Sequence, residues 1–176
     1  MTKPLLRSLL ALLLLLVPVA AATAQDGGAA RRAAGASGLP LPRFASVAAR
    51  EANVRTGPGP EFPIRWLYTR PGLPVRILEE HEEWRLIEDA DGERGWAHSQ
   101  LLSRRRTVLV RAGTQDLRRR AGPASRVLLR AEAGVVGNLV DCEGDWCRVD
   151  IADRRGWLPR EAVWGVLPGE WRGNGG

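Results

Sequence analysis

The chain writes one small unit twice, and this repeat limits the fold more than any other feature. NVRTGPGP (residues 53–60) is followed by PVRIL (74–78), WRLI (84–87) and GWA (95–97). Later the same order returns as DLRRRAGP (116–123), VVGNLV (135–140), WCRVD (146–150) and GWLP (156–159). Asn53 and Asp116 are 63 residues apart, Trp84 and Trp146 are 62, and Gly95 and Gly156 are 61. A nearly constant offset over several motifs marks an internal duplication. Each copy is built of short apolar runs divided by turn signals, the pattern of short strands. Pro58, Pro60, Pro63, Pro71 and Pro74 leave little room for helix early in the first copy. Asp89-Ala90-Asp91-Gly92 and Ala152-Asp153-Arg154-Arg155 predict tight hairpin turns. The expected fold class is all-β, with each copy a small antiparallel barrel or sandwich whose closure removes exposed edges. Gly95 and Gly156 are expected to ease the chain into a strand. Trp96 and Trp157 are expected to lie mostly in the core, each covering one mouth of it.

The ends of the chain carry different signals. Lys3 and Arg7 precede an unbroken apolar run over residues 9–17, and Ala22-Thr23-Ala24 is a small-x-small site. This layout predicts a secretory signal peptide over residues 1–24, cleaved after Ala24. No later segment is apolar enough to span a bilayer, so no stable membrane insertion is expected after cleavage. Residues 25–45 are rich in Ala, Gly, Arg and Pro and read as a disordered linker. The two β units are expected over residues 46–103 and 104–167, and a flexible tail over residues 168–176. A periplasmic or secreted address follows from the signal peptide. In that compartment Cys142 and Cys147, the only cysteines, are expected to form a disulfide.

The inventory of reactive groups argues against an enzyme. Nucleophilic catalysis needs a nucleophile, a base and an orienting group. The chain has only His81 and His98, neither in a partner motif, and both read as solvated surface residues. A Cys-x4-Cys pair with two distant histidines does not match a closed zinc set, and the acidic run between Glu79 and Glu93 lacks calcium-loop spacing. No metal and no cofactor are expected. Binding is better supplied. Of seven tryptophans, Trp66, Trp84 and Trp146, with Tyr68, are the aromatics expected to be partly exposed.

Charge differs between the copies. Residues 46–103 carry 7 Arg and 10 acids, whereas residues 104–167 carry 13 Arg and 8 acids. The triplets Arg104-Arg105-Arg106 and Arg118-Arg119-Arg120 dominate the second. Clustered Arg suits phosphate or carboxylate. Export removes nucleic acid as the expected partner; the plainer alternative is that the oppositely charged copies pack together.

The NVRTGP stretch, the Trp before a strand and the Gly95-Trp96 strand resemble the bacterial SH3-like domain, SH3b, over roughly residues 46–166. SQLLSRRRT (99–107), CEGDWCRV (142–149) and WGVLPGE (164–170) resemble more closely a family of exported proteobacterial proteins with tandem SH3-like domains. In the second copy Arg118-Arg119-Arg120 fills the loop where the first has Arg55-Thr56-Gly57, which puts any ligand site there in doubt. The resemblance implies a non-enzymatic envelope module that binds peptidoglycan, particularly its peptide stems. Asn53, Arg55, Tyr68 and Trp84 are the expected ligand-binding residues, with Arg55 pairing a stem carboxylate beside an aromatic. The alternative is a scaffold that binds an extended peptide of another envelope protein.

Overall fold

The computed structural model describes residues 33–170. The predicted signal peptide lies outside these residues, as do residues 25–32 of the expected linker and residues 171–176 of the expected tail. Among the described residues there are fourteen strands and two single 3-10 turns, and no helix is long and apolar enough to cross a membrane.

The strands of the first copy are β1 (Arg43–Val47), β2 (Ala52–Arg55), β3 (Ile64–Tyr68), β4 (Pro74–His81), β5 (Trp84–Glu88), β6 (Arg94–His98) and β7 (Leu102–Ser103). Those of the second are β8 (Thr107–Val110), β9 (Thr114–Arg118), β10 (Val127–Glu132), β11 (Val136–Glu143), β12 (Trp146–Ile151), β13 (Arg154–Pro159) and β14 (Val163–Trp164). Each copy forms one seven-stranded sheet, in the orders β3-β2-β6-β5-β4-β1-β7 and β10-β9-β13-β12-β11-β8-β14. The second order is the first shifted by seven, so the duplication seen in the sequence is a duplication of topology. Register breaks recur too, at Ile77/Glu79 and at Leu139/Asp141.

Alternation along the strands builds two separate cores. One gathers Val47, Val54, Val75, Ile87 and Ala97; the other gathers Val108, Val110, Leu117, Val149 and Leu158. Fully burying a Val or Leu contributes about 1.5–3 kcal/mol. The predicted hairpins form. Asp89 Oδ1 accepts from the backbone N–H of Asp91 and of Glu93, each at 3.0 Å, and Gly92 takes φ 86°. In the other hairpin Ala152 and Asp153 both take positive φ, the two-residue turn whose twist matches paired strands. Cys142 and Cys147 face each other across β11 and β12 and are disulfide-bonded.

Two expectations need correction. Trp96 and Trp157 are half-buried and lie outside both cores. Their neighbours Gly95, Ala97, Gly156 and Leu158 point inward instead. Trp157 lies under Arg148, whose guanidinium carbon is 5.7 Å from the ring centroid. The glycines therefore do the structural work of the motif. A Cβ on Gly95 would sit 2.5 Å from Val54 Cγ1 and 3.0 Å from the Arg55 carbonyl oxygen. On Gly156 it would sit 2.7 Å from Leu117 Cγ and 2.8 Å from the Arg118 carbonyl oxygen. Only a residue without a side chain lets β6 approach β2, and β13 approach β9, this closely. The second correction concerns the linker. β1 begins at Arg43, and Ser37 is bonded to Glu80, so residues 33–45 pack on the first sheet rather than leaving it free.

The two sheets meet in a seam of aromatics and guanidinium groups. Phe44 of β1 meets Trp164 of β14 edge to face, with centroids 5.1 Å apart. Arg76 and Arg111 lie over the Trp164 ring at 5.1 and 5.9 Å, and Arg106 lies over Phe44 at 5.8 Å. Arg70 of the first copy donates to the Gly134 carbonyl of the second at 2.9 Å. The copies thus pack together by ring contacts, not by matching an acidic face to a basic one.

Candidate functional site

In the first copy the strand order β2-β6-β5 sets the start of β5 beside the end of β6 and across from β2. Trp84 opens β5 and is paired in register with His98, the last residue of β6. Their rings meet edge to face at 5.3 Å. His98 Nδ1 accepts from the backbone N–H of Gln100 at 3.3 Å, which orients the imidazole at the entry to the 3-10 turn Ser99–Leu101. Asn53 and Arg55 leave β2 on the face opposite the buried Ala52 and Val54. Together with Pro60 and Leu101, these residues line a shallow cleft of about 460 Å³ with a largely apolar floor. Glu82 and Glu83, on the β4–β5 hairpin, form its far rim. Glu83 accepts from the Ser99 hydroxyl at 3.0 Å.

Arg55 Nη1 donates to the Phe62 carbonyl at 2.7 Å. That bond folds the 56–63 loop back over β2 and fixes the guanidinium at the cleft. Among the described residues Arg55 has no carboxylate partner.

Three of the four expected residues, Asn53, Arg55 and Trp84, are therefore brought together. Tyr68 is not. Its ring packs against the core edge and Trp66, and its hydroxyl donates to Asp89 Oδ2 at 2.9 Å. Burial, reinforced by Asp89, pushes its phenol well above the usual range, so it stays a neutral donor that ties β3 to the β5–β6 hairpin. His98, Pro60, Leu101, Glu82 and Glu83 were not singled out as ligand-binding residues. His98 is half-buried rather than a freely solvated surface group.

The second copy has the same cleft, of about 660 Å³. Asp116, Arg118, Pro123, Trp146 and Pro159 stand where Asn53, Arg55, Pro60, Trp84 and His98 stand in the first. The registers agree: Trp146 pairs with Pro159 as Trp84 pairs with His98. Arg118 Nη1 donates to the Ser125 carbonyl at 2.8 Å, seven residues ahead, just as Arg55 reaches Phe62. So the Arg triplet does not displace the site. Its first member occupies it, and only Arg119 and Arg120 depart from the pattern. Arg104-Arg105-Arg106 splits similarly: Arg106 pairs with Glu170 in the seam, while Arg104 and Arg105 stay exposed.

The position of the disulfide has its own counterpart. Glu80 and Arg85 are the register pair in the first copy that Cys142 and Cys147 form in the second. Arg85 Nε is 3.3 Å from Glu80 Oε1, and Arg43 binds the same oxygen. Ser37 donates its backbone N–H to Oε2 at 2.7 Å and its hydroxyl to Oε1 at 2.8 Å. Burial pushes this carboxyl up, but the Ser37 and Arg43 donors outweigh it and hold the group at about 2.

A relative named "Putative N-acetylmuramoyl-L-alanine amidase YrvJ" from Bacillus subtilis (strain 168) is 28% identical over 130 residues, 68% of this chain and 25% of that protein. Among solved structures, NlpC2 and NlpC1 from Trichomonas vaginalis each share 10% identity at a TM-score of 0.35. They match 70% and 75% of this chain and 48% of their own. The chain thus spans a quarter of its curated relative and under half of either structure. The profile of the bacterial SH3 domain matches twice, over residues 48–104 and 111–165, one match on each sheet with its cleft. These two matches cover more than half of the sequence, and the chain belongs to the bacterial SH3 domain family.

Proposed function

We propose that this protein is a non-enzymatic, exported module that binds the bacterial cell wall and holds peptide stems of peptidoglycan in its clefts. One observation carries the reading: both copies set an arginine, pinned by a carbonyl seven residues ahead, in the same cleft as a half-buried tryptophan. Arginine suits a carboxylate, and a flat ring suits the aliphatic part of a short peptide. Membership in the bacterial SH3 domain family and the amidase name of the Bacillus relative support a cell-wall role and an extracellular or envelope location. The predicted signal peptide supports the same address and, with it, the periplasm.

The test is co-sedimentation of the protein with protein-free peptidoglycan sacculi at low and moderate salt. Pelleting is expected to survive moderate salt and to weaken by roughly tenfold or more when Arg55→Ala and Trp84→Ala are combined in a folded protein. Pelleting only at low salt would instead assign it to the exposed Arg104, Arg105, Arg119 and Arg120. The reading fails if the double variant binds as tightly as the parent.

A second reading, a scaffold for an extended peptide, is favoured by the edge strand β3. Ile64 and Leu67 there are 52% and 43% exposed, while the second copy has Val127 and Arg130 in the same register. An apolar sheet edge suits strand addition. That reading predicts a co-purifying polypeptide and no retention on sacculi.

A further inference from the structure

The two clefts share an arginine, a proline and a tryptophan at matching positions, and beside the arginine they differ in charge. Position for position, Asn53 of the first is Asp116 of the second. Across the neighbouring strand the change is reciprocal: Asn53 faces Leu67, and Asp116 faces Arg130. Asp116 Oδ2 lies 2.8 Å from Arg118 Nη2, and its other oxygen lies 3.4 Å from Arg130 Nε. In the second copy, then, the cleft arginine already holds a carboxylate, supplied by the chain itself two residues away. In the first copy the amide of Asn53 carries no charge, and among the described residues the Arg55 side chain bonds only the Phe62 carbonyl, which leaves its remaining N–H groups for another acceptor.

We propose that only the first cleft reads a ligand carboxylate, and that Asp116 closes the second to carboxylates by occupying Arg118 from within. The inference rests on the cleft reading above and narrows it. The internal Asp116–Arg118 pair shows the contact that Arg55 offers to a ligand: a carboxylate oxygen at hydrogen-bond distance from a guanidinium fixed by a backbone carbonyl. Such charge-assisted bonds are the strong ones, and an arginine already paired has little left to gain from a second carboxylate. Glu82 and Glu83 line the same cleft as Arg55. A free inorganic anion would meet their negative charge. A peptide whose carboxylate is followed by an ammonium would satisfy both sides. The favoured ligand is therefore a zwitterionic peptide end, not phosphate.

The indole N–H groups of Trp84 and Trp146 report the two clefts separately in a nitrogen-15 correlation spectrum. The protein is titrated with a synthetic stem peptide carrying a free terminal carboxylate, and with two derivatives, one amidated at that terminus and one amidated at its side-chain carboxylate. The free peptide is expected to shift Trp84 and leave Trp146 in place. Amidation at the terminus should weaken the Trp84 response by roughly tenfold, whereas side-chain amidation should not. Asn53→Asp should abolish the Trp84 response, and Asp116→Asn should confer one on Trp146. Each substitution installs the residue that the other copy already carries at that position, so the fold tolerates both. Equal responses at the two indoles in the parent protein would overturn the inference and leave the cleft reading intact. So would a silent Trp146 after Asp116→Asn. If neither indole responds while the protein still pellets with sacculi, both the cleft reading and this inference fall. If it also fails to pellet, the wall-binding function falls with them.

Discussion

At Glu80 the first copy uses charge where the second uses a covalent bond. The side chain is 0% exposed, with Arg43, Arg85 and both donors of Ser37 around it. Its folded value is depressed to about 2, so its stabilisation is fully present above the ordinary carboxylate range near 4.5. That stabilisation is lost as pH falls from there toward 2. Glu80→Gln is expected to cost on the order of 3 kcal/mol at pH 7 and to flatten the acid limb of the stability curve. Urea unfolding at pH 7 and pH 3 checks this. Glu88, also depressed although burial opposes it, and held by Arg94 and Arg76, leaves a residual slope in the variant. Equal losses at both pH values would mean that Glu80 acts by packing alone. The opposite hairpin should respond to reductant instead. Opening the Cys142–Cys147 ring is expected to remove about 2 kcal/mol by loop-closure arithmetic, read as a lower melting temperature under dithiothreitol.

At the scale of elements, the strands of each copy close where glycine permits. Gly95→Ala and Gly156→Ala are each expected to cost roughly 1–3 kcal/mol, because the new Cβ meets a backbone oxygen that cannot move aside. Thermal melts of the two variants decide it; unchanged melting would show that β2 and β9 shift freely. That each copy is built of short strands was legible in the sequence, because turn residues and the repeat offset survive in the one-dimensional pattern; β1 was not, because residues 25–45 show little apolar pattern. The side each Trp faces was legible too, had period 2 been applied strictly: Gly95 and Ala97 share a face, so Trp96 lies on the other. That Tyr68 lies apart from Asn53, Arg55 and Trp84 was not legible, because aromatic character does not say which way a strand turns it, and its partner Asp89 is 21 residues away. Arg118 was doubted because the triplet differs from Arg55-Thr56-Gly57 by residue type. Its role depends on reaching the Ser125 carbonyl, which residue type alone does not reveal.

For the whole molecule, the seam decides whether two barrels behave as one body. Phe44, 5% exposed, is enclosed by Trp164 and Arg106, and Arg76 joins the buried Glu88 to the Trp164 ring. Phe44→Ala is expected to cost roughly 3 kcal/mol and to split a single calorimetric transition into two, as each core then melts by itself. One undivided transition in the variant would show that the linking strands, not the seam, couple the barrels.

The seam is also directional. Phe44 pairs in register with Arg76, and the same register in the second barrel holds Thr107 and Asn138. Trp164 lies on β14, and its counterpart on β7 is Ser103. A head-to-tail contact between repeats is the kind that runs on into open fibres when every unit carries both halves. Here the first barrel has only the socket and the second only the plug, and each is already used on the other. Among the described residues, then, neither half of this contact is left over to recruit another copy.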